Sequence, residues 1–109
     1  MDQTYRVIVA LEVWKQLREI VEWTEENHSP ERAGKVKNVI LSAIDSLAAM
    51  PTRHPIVRSV STKGIIYRRI LAERYRIVFT IFEQTATVKV VDIDHERRNP
   101  KLLIDKLNK

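Results

Sequence analysis

Cysteine is absent from this 109-residue chain, which excludes disulfides and thiolate chemistry and fits a reducing compartment. Only two glycines occur, Gly34 and Gly64, thirty positions apart, so no Gly-rich phosphate loop can form. Nowhere is there a run of about 18 apolar residues, so no membrane-spanning helix is expected. The start, Met1-Asp2-Gln3-Thr4-Tyr5-Arg6, lacks the basic-then-apolar layout of a secretory leader. Together these absences place the expected protein in the cytoplasm, away from membranes. Cys-x-x-Cys and His-Glu-x-x-His are also missing, and His28, His54 and His95 lie far apart. Asp92, Asp94 and His95 are close enough to suggest a cation site, but their basic neighbours argue against one. No cofactor and no metal are called for.

What is present is positive charge, unevenly placed. The chain carries +5 overall. Residues 53–76 hold Arg53, Arg58, Lys63, Arg68, Arg69, Arg74 and Arg76 against Glu73 alone, so that stretch carries +6 and the remainder −1. A second group, Arg97, Arg98, Lys101, Lys106 and Lys109, closes the sequence. Clustered cations favour an anionic partner, either nucleic acid or an acidic protein, although many small basic proteins have no such role.

The length fits a single domain over 1–109. Tyr5-Arg6-Val7-Ile8-Val9-Ala10 reads as a strand. From Leu11 the period changes, and Val13, Leu17, Ile20, Val21 and Thr24 recur at helical spacing. Ser29-Pro30-Glu31 then caps a second helix, with serine accepting at the first turn and proline pre-set for it. That helix is expected to run to about Met50 on an apolar face of Ala33, Val36, Ile40, Ala43, Ile44 and Leu47, stopped by Pro51. Residues 52–64 read as a loop or irregular edge. Strands are expected at 65–71, 75–82 and 85–93, and their short polar breaks imply antiparallel hairpins. Asn99-Pro100 can open a last helix over 101–107, with Leu103, Ile104 and Leu107 on one side. The order β-α-α-β-β-β-α predicts an α+β domain, a helical hairpin packed on an antiparallel sheet.

One constellation could carry chemistry. Arg68 and Arg76 on neighbouring strands can approach one another, with His95, Arg97 and Arg98 at the end of the last strand. Paired guanidinium groups can clamp a phosphodiester, and an imidazole can move protons near neutral pH. The plainer reading is solvated arginines on an open sheet face and a histidine that caps its strand.

The whole order of elements resembles the RelE/ParE toxin superfamily, whose members are toxins of type II toxin–antitoxin pairs associated with growth arrest and plasmid stabilisation. The resemblance rests on Leu17-Arg18-Glu19-Ile20-Val21-Glu22-Trp23, on Ile44-Asp45-Ser46-Leu47 before Pro51, on Tyr75-Arg76-Ile77-Val78-Phe79, and on Val91-Asp92-Ile93-Asp94-His95-Glu96-Arg97-Arg98. Two activities are then implied as alternatives. RelE-like members cut mRNA on the ribosome with strand cations and a terminal tyrosine or histidine. That reading makes Arg68, Arg76, His95 and Arg98 catalytic. No tyrosine follows His95, however, and only one of the two strand lysines has a basic counterpart. ParE-like members poison DNA gyrase without being nucleases. The long helical hairpin and the His95-Glu96-Arg97 ending are similar to theirs, so His95, Glu96, Arg97, Arg98 and Lys101 become target-binding residues. The resemblance also implies a cognate antitoxin, acidic and partly disordered, that folds around the toxin in a hetero-oligomer. Trp14 and Trp23 would suit such a partner if exposed, although at least one of them is expected in the core. A plain nucleic-acid-binding module is a third reading, with affinity that falls steeply in salt.

Overall fold

A computed structural model describes residues 4–57 and 64–97. Strand β1 (Arg6–Val9) leads into helix α1 (Leu11–Asn27), helix α2 (Pro30–Ser46), and strands β2 (Tyr67–Ala72), β3 (Tyr75–Phe82) and β4 (Thr87–His95). The expected helix over 101–107 lies outside the described residues.

The two helices are separated by His28 and Ser29 alone, so they fold back antiparallel. The Ser29 side chain accepts the Arg32 N–H at 3.0 Å, with Pro30 in the first turn; a cap of this kind contributes about 1 kcal/mol. The second helix stops at Ser46, one turn short of Met50. Proline disfavours the α region for the residue before it, and Met50 sits in the left-handed region at φ 49°. The backbone released by that early stop is put to use. Tyr5 N–H donates to Ala48 C=O at 2.8 Å, and Thr4 bridges Ala49, which ties the start of the chain to the end of α2.

The strands order as β1-β4-β3-β2. The β2–β3 and β3–β4 pairs are antiparallel hairpins, as the short gaps require, whereas β1 pairs with β4 in parallel. The sheet is therefore mixed. A chain that leaves one sheet edge through two helices can return in either sense, and alternation over four residues does not distinguish them. The start of β4 also moves, from 85 to Thr87, because Glu83–Thr85 form a short 3-10 turn that ends at Ala86 with φ 47°.

Strand alternation sends Ile77 and Phe79 to one face and Val78 to the other. On the first face Val13, Leu17, Val36, Ile40, Ile44 and Leu47 of the helices close over Ile77, Phe79, Val88, Val90 and Ile93. On the second a smaller cluster of Val57 and Val78 packs with Tyr67 and Val91. Both tryptophans stay out of the core, contrary to expectation: Trp14 is 44% and Trp23 55% exposed. They lie nine positions apart on α1, about half a turn out of phase, and the smaller Val13 and Leu17 take the inward stripe between them. No described helix is long and apolar enough to cross a membrane.

Candidate functional site

Arg68 and Arg76 do not converge. Arg68 lies opposite Phe79 in the hairpin register and Arg76 opposite Leu71, so alternation places the two side chains on opposite faces of the sheet. Their guanidinium groups are also occupied. Arg68 Nη1 donates to the carbonyls of Thr52 at 3.1 Å and His54 at 2.8 Å, lashing the turn after α2 to the sheet. Arg76 is buried, with Nη2 3.5 Å from Asp94 Oδ2. The two-arginine phosphate clamp expected from sequence is thus not assembled. The error lies in the register, because an odd offset between paired strands reverses the face and composition does not reveal it.

His95 ends β4 opposite Tyr75, with the two rings edge to face at 5.6 Å. Its backbone N–H donates to Asp94 Oδ1 at 2.8 Å, and its Nδ1 accepts the Arg97 N–H at 3.1 Å. With Nδ1 used as an acceptor, the neutral ring carries its proton on Nε2. Glu96 N–H donates to Arg74 C=O at 2.9 Å. The start of the tail is therefore held by backbone bonds rather than hanging free. Arg98 and Lys101 lie outside the described residues.

Around this corner the surface is concave on both sides. On the helix side a cavity of about 500 Å³ is lined by Glu12, Glu19, Ile20, Trp23, Tyr75 and His95. A second, of about 800 Å³, shares Trp23, Tyr75 and His95 and adds His28, Arg32 and Arg74. Arg32 is paired with Glu73 at 3.1 Å, which leaves the exposed Arg74 as the cation of that half. On the open face a cavity of about 560 Å³ lies among Ile56, Arg69, Leu71, Arg76 and Glu96. His95 opens to one side of the sheet and Glu96 to the other, so the tail begins on a ridge between two grooves. Trp23, Tyr75 and His95 line both helix-side cavities, and aromatic walls of this kind suit the recognition of a partner's side chains.

The carboxylates near His95 are also engaged. Asp92 accepts Gln16 Nε2 at 2.7 Å, and Asp94 holds Arg76. Among the described residues no group of three or more metal-binding side chains comes together. The sequence marks Trp23 only as a partner contact if exposed, and it does not mark Tyr75 or Gln16 as site residues. Tyr75 had a signal, being the neighbour of Arg76 in the Tyr-Arg-Ile strand, but Gln16 had none.

His54 packs edge to face on Phe79 at 5.9 Å, with a buried Nε2 that has no hydrogen-bond partner. Burial, and then Arg53 and Arg68, hold its pKa below the ordinary imidazole value. The folded imidazole therefore resists a proton that the unfolded chain accepts near pH ~6.5. The sign follows: stability is full above that pH and declines as pH falls through it toward the folded pKa. In urea melts from pH 7.5 to 5.5, His54→Gln should show a flatter decline than the parent. An unchanged slope would mean that His54 is not the group responsible.

The comparisons with known proteins agree with this architecture. The family model for the ParE toxin of the type II toxin–antitoxin system parDE matches residues 7–100. No curated protein matches by sequence. Among solved structures, the chain is similar to one from the chromosomal ParDE system of P. aeruginosa, with TM-score 0.69, 15% identity, and coverage of 85% of this chain and 97% of that one. The archaeal RelE–RelB complex of Pyrococcus horikoshii gives TM-score 0.61 and 17% identity over 88% of this chain and 99% of that one. The RelBE2 toxin–antitoxin complex of Mycobacterium tuberculosis gives 0.52 and 18%, over 84% and 91%. At such identities the structural likeness carries the fold, and the family match carries the membership.

Proposed function

The chain belongs to the ParE toxin family of type II toxin–antitoxin systems, and from that membership we propose that it arrests growth by binding DNA gyrase through the ridge at residues 95–97. The observation that carries this reading is the fate of the two strand arginines. A ribosome-dependent nuclease needs guanidinium groups aimed together at a phosphodiester. Here Arg68 is bonded to loop carbonyls on one face and Arg76 is paired with Asp94 on the other. His95, Glu96, Arg97, Arg98 and Lys101 remain the proposed target-binding residues, with Trp23 and Tyr75 as the aromatic wall beside them. In this reading the protein is an inhibitor rather than an enzyme, acts in the cytoplasm and needs no cofactor.

The proposed partner in neutralisation is a small acidic antitoxin, partly disordered until bound, in a hetero-oligomer. Support comes from the family description and from structural neighbours solved as toxin–antitoxin complexes. A small acidic protein encoded beside this chain is the expected corollary. The groove along Trp23, Tyr75 and His95 offers such a partner apolar anchorage next to the exposed Arg74.

Induced expression with two parallel readouts tests the main reading. Growth arrest should come with DNA-damage signalling while translation continues, and His95→Ala combined with Arg97→Ala should relieve it. If arrest instead comes with mRNA cut in the ribosomal A site, and Arg76→Ala abolishes the cuts, the RelE-like alternative replaces it.

A further inference from the structure

Helix α1 carries one residue out of pattern. Val13, Leu17 and Ile20 form its inward side, and Gln16 lies beside Leu17, three positions after Val13 and four before Ile20. Its side-chain amide reaches β4 and makes two bonds there. Nε2 donates to Asp92 Oδ1 at 2.7 Å, and Oε1 accepts the Ile93 backbone N–H at 2.9 Å.

Those two residues follow an irregularity in the ladder. Phe79 faces Val90 but Val78 faces Asp92, so Val91 is an additional residue in β4. A bulge leaves backbone groups without ladder partners and bends its strand. It also resets the alternation for everything beyond it. Carrying the Phe79–Val90 register straight on would set Asp92 against Ile77, Ile93 against the buried Arg76, and Asp94 against Tyr75. With the bulge in place, Ile93 meets Ile77 in the core, Asp94 meets Arg76, and His95 meets Tyr75. The position of His95 thus depends on the additional residue four positions upstream, and Gln16 bonds the two residues that follow it.

We propose that Gln16 is the positioning residue for the 95–97 ridge, acting by clamping the β4 bulge. The role of the ridge in target binding rests on the gyrase reading, whereas the clamp itself does not. The amide is suited to the task because one group must both donate to a carboxylate and accept from a backbone N–H, which neither an apolar side chain nor a carboxylate does at neutral pH. Losing two such bonds corresponds to roughly tenfold or more in the local opening equilibrium.

The test uses the full chain and ¹⁵N-resolved NMR. Gln16→Met keeps the length and helix propensity while removing both bonds. Amide exchange at Ile93 should then accelerate about tenfold or more, and the His95 ring protons should lose the shift imposed by the Tyr75 ring. Gln16→Glu with Asp92→Asn exchanges amide and carboxylate between the same two bonds and should restore both signatures. Wild-type exchange and ring shifts in Gln16→Met would overturn the proposal. If that variant fails to fold, the swapped pair decides: restored signatures support the clamp, and a folded pair with the His95 shift lost overturns it. Growth arrest is read separately. A displaced His95 with undiminished arrest leaves the clamp standing and removes the ridge from target binding.

Discussion

Asp94→Ala is expected to cost about 3–5 kcal/mol of folding stability, read as a lowered urea midpoint with an unchanged slope. The cause is less the lost attraction than the charge left behind. Arg76 and Asp94 are 7% and 5% exposed, and Arg76 Nε already lacks a hydrogen-bond partner, so removing the carboxylate strands a guanidinium away from water. Replacing both members separates structure from function. Arg76→Met with Asp94→Leu should recover most of the loss, because an apolar pair of similar volume can match a buried ion pair. If the pair is structural, that double variant folds and still arrests growth. If Arg76 serves as a phosphate ligand, the double variant folds and is inert.

Phe79→Ala should be the costliest single truncation of the sheet, at about 3–5 kcal/mol. The ring is fully buried at the centre of β3, between the helical hairpin and the His54 ring. Few small domains have more than about 5–15 kcal/mol in total, so the variant should unfold at markedly lower urea. The damage should extend to the turn after α2, since His54 lies over Phe79 and Arg68 ties the Thr52 and His54 carbonyls to the same strands. Amide exchange across residues 51–57 should quicken along with that of β3. A loss below about 1 kcal/mol would mean that the site collapses around the gap.

The helical hairpin was legible because its signals are local. Ser29, Pro30 and Glu31 mark a helix start by their own chemistry, and Ala33, Val36, Ile40, Ile44 and Leu47 give a period that only a helix satisfies. The hairpin strands were legible for the same reason, with β3 found over the residues expected. What composition does not contain is pairing. The parallel partner of β1, the opposite faces of Arg68 and Arg76, and the additional residue at Val91 are relations between distant segments, fixed by packing rather than propensity. The two tryptophans illustrate a related limit. A large apolar residue on a helix suggests core, but its phase relative to Val13 and Leu17 decides, and both fall outside that stripe.

The candidate site was legible in part. His95 was readable as the end of a strand next to charged neighbours, and the structure places it at a corner where two grooves meet. Its orientation depends on Tyr75, Asp94 and, through the bulge, Gln16, which lies 79 positions earlier. No sequence pattern ties a glutamine in a helix to a histidine that far away. The basic stretch at 53–76 was visible as charge, but the role of each cation was not, because Arg68 and Arg76 are engaged by partners that only folding brings near.

Supercoiling by purified DNA gyrase, titrated with this chain, tests the central claim most directly. Supercoiling should stop and cleaved gyrase–DNA complexes should accumulate, with His95→Ala and Arg97→Ala together abolishing the effect and the Arg76→Met, Asp94→Leu double variant retaining it. Unaffected gyrase, alongside ribosome-dependent cutting of mRNA by the same preparation, would contradict it.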